Sequence, residues 1–581
     1  MSQNTTDQYF QSTVLGHPSG LFFLFFTEMW ERFSFYGMRS LLVLFLTSSL
    51  LSGGWEWERE QAMALFGSYV GLVYLSTMLG GYFADKKIGY RNAVLVGALL
   101  MTLGHGSMAI ETPFFIYLGL ILLVFGNGFF KPNMTSIISE MYKDRSEKKD
   151  GAYTIFYMGV NSGAFFGILL CGYLGEKVGW SWGFGLAGIF MLFGLIQFWL
   201  AQNIFGDIGL KPVKKEIVSS ASEDDKENPF PVWQLGWIGL MVVLGLLWII
   251  FEPAKIISKG AVDIFNWSLL GLEGNNFTII AALALFVLLL IYRLTQYSTV
   301  TRDKLIAVSF FAFLTAFFWA IFEQSPGTLT IFANDYTNRV LEGNAGLIFK
   351  IVNALMTIVP LGIITWVLYL LFQQTFAKYK YSNLVLATSF VIVWSIAIWM
   401  LYDQNKEATL EVPASWFGVL NSLFIISLAP LFSKWWESKY SPNANGKFAV
   451  GMTLLAIGMA CVAFGASGIE PGAKTASVSM IWLILVYFFH TMGELCISPV
   501  GLSYVSKLVP ARMIAVMFGI WYLAVAIGMK GAAKFGENID KIADEKGISY
   551  FFWMLTFVAL GVALISLLFR PIIKKLMHGV K

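Results

Sequence analysis

Sixteen stretches of this chain are apolar enough and long enough to cross a lipid bilayer. A span needs about 20 apolar residues to cover roughly 30 Å of hydrocarbon. The runs lie at residues 20–51, 60–84, 92–110, 113–139, 152–175, 182–204, 232–251, 276–293, 305–335, 347–376, 383–402, 414–432, 448–466, 478–505, 513–535 and 550–568. No water inside hydrocarbon can serve the backbone, so each run must satisfy its own N–H and C=O groups as a helix. The expected fold class is an all-α polytopic membrane protein. Only 13% of residues are charged while 57% are hydrophobic, and a soluble surface carries about 25% charge.

Lysine and arginine in the short connections set the orientation. With the N-terminus cytoplasmic, the basic segments 85–91, 143–150, 211–226, 378–380, 434–447, 507–512 and 570–581 all lie inside. The segments 55–58, 403–411 and 466–476, acidic or poor in base, then lie outside. An even number of spans returns the C-terminus to the same side. The longest polar stretch, 206–231, includes Ser219, Ser220, Ser222, Glu223, Asp224 and Asp225 and reads as a flexible linker after six helices. The layout predicts an N-terminal six-helix bundle over 1–205, a linker with two inter-bundle helices over 206–303, and a C-terminal bundle over 304–581. A substrate site between two such bundles lies near the membrane midplane.

Ionisable residues inside the spans are the most informative feature, because charge at bilayer depth faces a partner or a wet cavity. Glu28, Arg32, Tyr36 and Arg39 follow i, i+4, i+8, i+11 spacing along one stripe of the first span, with Glu31 beside it. An ion-pair ladder between helices is the ordinary reading of this pattern, but a proton site is favoured over a ladder alone, since opposed carboxylates near arginines titrate according to their neighbours. Lys131 lies deep in the fourth span before Pro132, with apolar residues on both sides, so it is not snorkelling from a helix end. Glu323 and Glu494 each follow an aromatic run. His490 stands four residues before Glu494, within pairing reach, although packing is the more ordinary use of such a histidine. Asn161 and Asn421 are isolated polar residues in apolar helices, where helix–helix hydrogen bonding and substrate binding are both open. Glycines such as Gly80, Gly81, Gly163 and Gly167 suit close helix packing.

Enzyme chemistry finds no support. There is no phosphate loop, no His-Glu-x-x-His, no Gly-x-Ser-x-Gly, and the three cysteines (Cys171, Cys461, Cys496) have unrelated spacings inside apolar runs. No metal and no cofactor is expected.

The segment Glu28-Met29-Trp30-Glu31-Arg32 resembles the Glu-x-x-Glu-Arg motif of the proton-coupled oligopeptide transporters, a family within the major facilitator superfamily. Phe156-Tyr157-Met158-Gly159-Val160-Asn161-Ser162-Gly163 is similar to a second motif of that family, and Gly80–Asp85 with Arg91 resembles the superfamily's loop after the second helix. The segment from Gly493 to Pro499 resembles the family's tenth core helix. The resemblance implies the major facilitator fold and proton-driven import of di- and tripeptides. It implies that Glu28, Glu31 and Arg32, with Lys131 and Glu323, link transport to protons. Arg39 and Lys131 would hold the peptide carboxylate, and Glu494 the ammonium. Tyr36, Tyr74, Tyr157, Asn161, Trp319, Asn421, Ser498 and Trp521 would line the pocket, with Glu323 paired to Arg39 or Lys131. The implied partners are peptides, protons and the bilayer of a bacterial inner membrane, with no nucleic acid and a monomer as the working unit.

Two departures stand out. Phe35 replaces a tyrosine found in several relatives, and Gly67 occupies the place of a histidine in animal members, so coupling would rest on carboxylates. Family members in bacteria typically have twelve core helices and two between the bundles. Here runs 347–376 and 383–402 add a further pair, at about 346–403, between Glu323 and Asn421. A same-family symporter of nitrate or amino acids is the alternative, and dispensability of Glu494 would mark it.

Overall fold

The structure, a computed structural model, describes residues 7–211, 228–509 and 513–580. Most of the predicted linker, and Pro510, Ala511 and Arg512 of the predicted 507–512 loop, lie outside the described residues. Every predicted span is helical. The first six helices are α1 (Ser19–Thr47), α2 (Arg59–Phe83), α3 (Tyr90–Met108), α4 (Pro113–Met141), α5 (Ser146–Lys177) and α6 (Trp180–Ala201). Next come α7 (Val232–Ile257), α8 (Gly274–Leu294), α9 (Thr299–Phe322), α10 (Thr330–Asp335), α11 (Gly343–Thr375) and α12 (Lys380–Lys406). The remainder are α13 (Val419–Glu437), α14 (Ala444–Gly465), α15 (Ile481–Leu508), α16 (Ile514–Glu537), α17 (Ile539–Lys546), α18 (Ile548–Leu568) and α19 (Arg570–Leu576).

Thirteen helical segments among the described residues are long and apolar enough to cross a membrane by length and composition alone. The charged helix α1 is not among them, although it is 29 residues long.

Three expected boundaries differ. The run 305–335 is not one helix: α9 stops at Phe322, a single wide turn spans Ser325–Leu329, and α10 follows. Pro326 has no N–H for the helical ladder, so the chain breaks just after Glu323. The segment 143–150 is not all loop, because α5 begins at Ser146; apolar patterning misses a polar helical extension beyond the lipid. Residues 478–479 form a short strand, and α15 starts at Ile481.

In the first bundle α1 packs on α5 and α6, α3 on α4 and α6, and α2 on α4. In the second, α9 packs on α16, α14 on α15 and α18, and α13 on α15. The bundles meet through α2 against α16 and α5 against α13, and α7 of the α7–α8 hairpin lies on α2. Glycines permit the tightest approach. A Cβ on Gly163 would stand 2.1 Å from the Met29 carbonyl oxygen, and one on Gly167 2.2 Å from that of Phe33. The backbones of α1 and α5 are therefore in contact, which small residues allow and lipid-phase packing rewards. At Gly81 nothing lies within 4 Å of the same position.

The inserted pair α11–α12 packs on the first bundle. Its helix α12 lies along α6, and both helices reach α1 or α5. Its two connections are zipped together at the end of the molecule away from the chain termini, where Val340–Leu341 pairs antiparallel with Leu410–Glu411.

Candidate functional site

The site begins on α1. Except for Tyr36 and Thr47, every residue of this helix is buried. Arg32 Nε lies 2.8 Å from Glu28 Oε1 and 2.8 Å from Glu31 Oε2. Asn127 of α4 donates to Glu31 Oε1 at 3.0 Å. Glu28 Oε2 has no hydrogen-bond partner. Two carboxylates thus share one guanidinium, and the excess negative charge is what a single proton would neutralise.

One turn and more beyond, Arg39 forms an ion pair with Glu323, which stands at the break between α9 and α10. The Arg39 guanidinium also lies 5.6 Å from the centre of the Phe66 ring and 5.9 Å from that of Tyr36. The pair is buried and joins the two bundles directly.

Lys131 sits before Pro132, the proline inside α4. Pro132 takes the Gly128 carbonyl out of the helical ladder. The α2 backbone approaches that carbonyl so closely that a Cβ on Gly80 would lie 2.0 Å from it. The Lys131 ammonium lies 4.5 Å from the ring centre of Tyr74 on α2. It makes no ion pair with any described residue.

Across the interface, Glu494 of α15 accepts a hydrogen bond from Asn421 of α13 at 3.0 Å. Asn421 also donates to Thr491 Oγ1 at 3.1 Å. Glu494 too has no cationic partner among the described residues. His490 does not pair with it: its ring stacks on Phe322 at 6.0 Å, and Asn421 takes the place of the histidine. Asn161 donates to the Tyr157 carbonyl at 2.9 Å, while the Tyr157 side chain is exposed. Trp319 packs edge-on against Phe318 and Phe322. Trp521 fills the space over Gly501, and the buried Ser498 hydroxyl has no partner.

Closure of the molecule is one-sided. Arg59, at the start of α2, reaches Asp335 and Asp540 at 2.6 Å each. The Glu176 carboxylate on α5 accepts the backbone N–H groups of Ala414 and Ser415 at 2.8 and 2.9 Å. Lys177 pairs with Glu411 at 3.2 Å. Lys530 of α16 bonds to Ser68 of α2 at 3.0 Å and to Glu252 of α7 at 2.8 Å. Among the described residues, and with the inserted pair α11–α12 set aside, each direct ion pair or hydrogen bond between the bundles lies level with Arg39–Glu323 or further from the chain termini. The far end is shut, and the end carrying the termini is not held together in this way.

Sequence reasoning passed over Asn127, Arg59, Asp335, Asp540, Glu176, Glu252 and Lys530. Lys530 had the same signal as Lys131, a cation inside an apolar run. Arg59, Asp335 and Asp540 stand at helix ends, where charge is ordinary.

The family model described as the POT family matches residues 91–382 and 388–542. The chain is 31% identical over 586 residues to the peptide transporter YePEPT of Yersinia enterocolitica, covering 99% of this chain and 98% of that one. It is 28% identical over 586 residues to a di-/tripeptide transporter of Lactococcus lactis, covering 98% and 99%. Among solved structures, peptide transporter POT in complex with sulfate matches with a TM-score of 0.69 at 29% identity, covering 99% of each chain. A POT family transporter in complex with 5-aminolevulinic acid matches with a TM-score of 0.71 at 25% identity, covering 98% of this chain and 100% of that one.

Proposed function

The chain belongs to the POT family, and from that premise we propose that it is a proton-coupled symporter of di- and tripeptides working by alternating access. The observation that carries this reading is a pair of charges without an ion-pair partner, one contributed by each bundle. Lys131 comes from the first bundle and Glu494 from the second, and neither has a counter-ion among the described residues. A charge inside a membrane span without a partner is costly, and it is retained where a ligand supplies the partner. A peptide zwitterion carries both complements, an ammonium for Glu494 and a carboxylate for Lys131. Arg39 joins Lys131 when its pair with Glu323 opens. Tyr36, Tyr74, Tyr157, Asn161, Trp319, Asn421, Ser498 and Trp521 form the walls.

Coupling follows from the same geometry. The excess carboxylate in the Glu28–Glu31–Arg32 cluster takes the proton, and protonation of Glu323 would release Arg39. A ligand that bridges the bundles binds best where both contacts exist, so binding shifts the equilibrium towards that state. Positive charge in the connections supports cytoplasmic termini, and with that orientation the shut end faces outward. Residues 1–205 act as first bundle, 206–303 as linker and 304–581, the inserted pair at about 346–403 aside, as second bundle, in a monomer within the bacterial inner membrane. Cysteine labelling at Lys380 from inside and Asn405 from outside tests the orientation.

The deciding experiment is uptake of labelled di-alanine into proteoliposomes. Accumulation with an inward proton gradient, and its collapse when a protonophore is added, is the expected result. Uptake indifferent to the gradient would refute the coupling, and no uptake would refute the peptide reading.

A further inference from the structure

In a molecule whose two bundles move against one another, every helix travels with one of them. By chain order α11–α12 belongs to the second half, between α10 and α13. Its packing says otherwise. At the end bearing the termini, Ser382 of α12 donates to the Gln197 carbonyl of α6 at 2.9 Å. The Gln197 side chain in turn donates to the Phe23 carbonyl of α1 at 3.0 Å and to the Thr27 hydroxyl. Midway, Phe390 of α12 lies 5.6 Å from Phe26 and 5.6 Å from Trp30, both on α1. Trp30 is held on its other side by Phe190 of α6 at 4.6 Å. At the far end Tyr173 of α5 donates to Asp403 at 2.8 Å. These contacts run the whole length of α12 and are to the first bundle, whereas towards the second half Phe349 of α11 stacks on Trp416, just before α13, at 6.2 Å.

These contacts fall on the back of the charged helix. Met29, Trp30 and Phe33 meet Leu361, Ile364 and Phe390 along an apolar seam. Glu28, Glu31 and Arg32 project away from it. The first helix of the second bundle, α9, leaves more than half of its residues partly or fully exposed, with Phe313 at 50%, whereas α1 exposes almost nothing. The insert covers the face that would otherwise meet lipid.

We propose that α11–α12 is mechanically part of the first bundle and positions α1, with Phe390 and Ser382 as positioning residues for the Glu28–Glu31–Arg32 cluster. The consequence for coupling rests on the reading of that cluster as the proton site. Phe390 fixes Trp30 against rotation, and Ser382 fixes the α6 turn whose glutamine ties α1 one residue before Glu28. A loosened α1 still carries its charges, but their distances to Asn127 and to one another vary. Loss of this support damages proton linkage more than passage of peptide.

Two measurements test this. In proteoliposomes, Phe390→Ala and the milder Ser382→Ala are compared for gradient-driven accumulation and for peptide counterflow without a gradient. The expected result is an approximately fivefold fall in accumulation, of the order expected for one lost aromatic contact, with a shifted pH profile, counterflow nearly intact, and recovery in Phe390→Leu. Equal loss of both activities, or an unchanged pH profile in both variants, would overturn the positioning role. Separately, spin labels at Val391 (α12), Ile189 (α6) and Phe557 (α18) report distances while Arg59→Glu forces the far end apart. A constant Val391–Ile189 distance with a shifted Val391–Phe557 distance supports the assignment; the reverse refutes it. This second arm does not depend on any substrate, so a failure of peptide uptake in the unmodified protein would sink the transport reading alone.

Discussion

Arg39 and Glu323 form a buried ion pair between the first helix of one bundle and the broken first helix of the other. It is the innermost of the contacts that shut the far end, and it occupies a group that the substrate carboxylate would also seek. Removing one partner leaves the other charge buried and alone, at a cost of about 3–5 kcal/mol in the closed state. Glu323→Gln is therefore expected to open the far end and to stop accumulation. A cysteine placed at Ser415 should become reactive to a membrane-impermeant thiol reagent in this variant. The neutral double variant Arg39→Gln with Glu323→Gln should regain protection of that cysteine without regaining transport.

The carboxylates that share Arg32 should separate coupling from movement. Glu28→Gln and Glu31→Gln each remove a titratable group but keep the volume and much of the hydrogen bonding. Gradient-driven accumulation is expected to vanish in both, with exchange by counterflow partly retained. Full accumulation by either variant, measured in the same vesicles, would contradict the assignment.

Lys131 and Glu494 should each answer to one end of the ligand. Amidated di-alanine should compete poorly with the unmodified protein but lose little further in Lys131→Ala. Acetylated di-alanine should behave likewise with Glu494→Ala. Interaction energies from such cycles between contacting groups run to roughly 0.5–3 kcal/mol. Additive effects would show that these residues do not touch the termini.

How much of this was legible in the sequence depends on how unusual each residue was in its setting. Glu28, Glu31, Arg32, Lys131, Glu323 and Glu494 stood out because apolar runs have no routine use for them. The break after Glu323 was marked by Pro326, but the run is apolar on both sides and read as continuous. The Glu176 interaction was invisible, since its partners are the backbone N–H groups of Ala414 and Ser415, nearly 240 positions away. Nor could hydrophobic patterning say which bundle α11–α12 would cover. An apolar helix face suits lipid, its own bundle and the neighbouring bundle equally well, and only tertiary packing decides among them.

The α1–α5 contact offers a test of stability. Gly163→Ala places a methyl group against the Met29 carbonyl, a backbone atom with little freedom to give way, so α5 must shift. Overpacking of this kind costs about 1–3 kcal/mol. The thermal unfolding midpoint of the purified protein should fall. Gly81→Ala, with open space at the same atom, should leave it unchanged.

The enclosure of α1 has a consequence for the surrounding bilayer. A membrane helix normally feels acyl-chain length and order directly, because its outer face is wetted by them, and a mismatch in thickness tilts it. Here α11 and α12 take that load on their own exposed faces, where Leu347, Ile351, Leu355 and Val391 stand. The helix that carries Glu28, Glu31 and Arg32 is lined by protein on every side. Its tilt is therefore set by side chains and not by the lipids in which the molecule happens to sit.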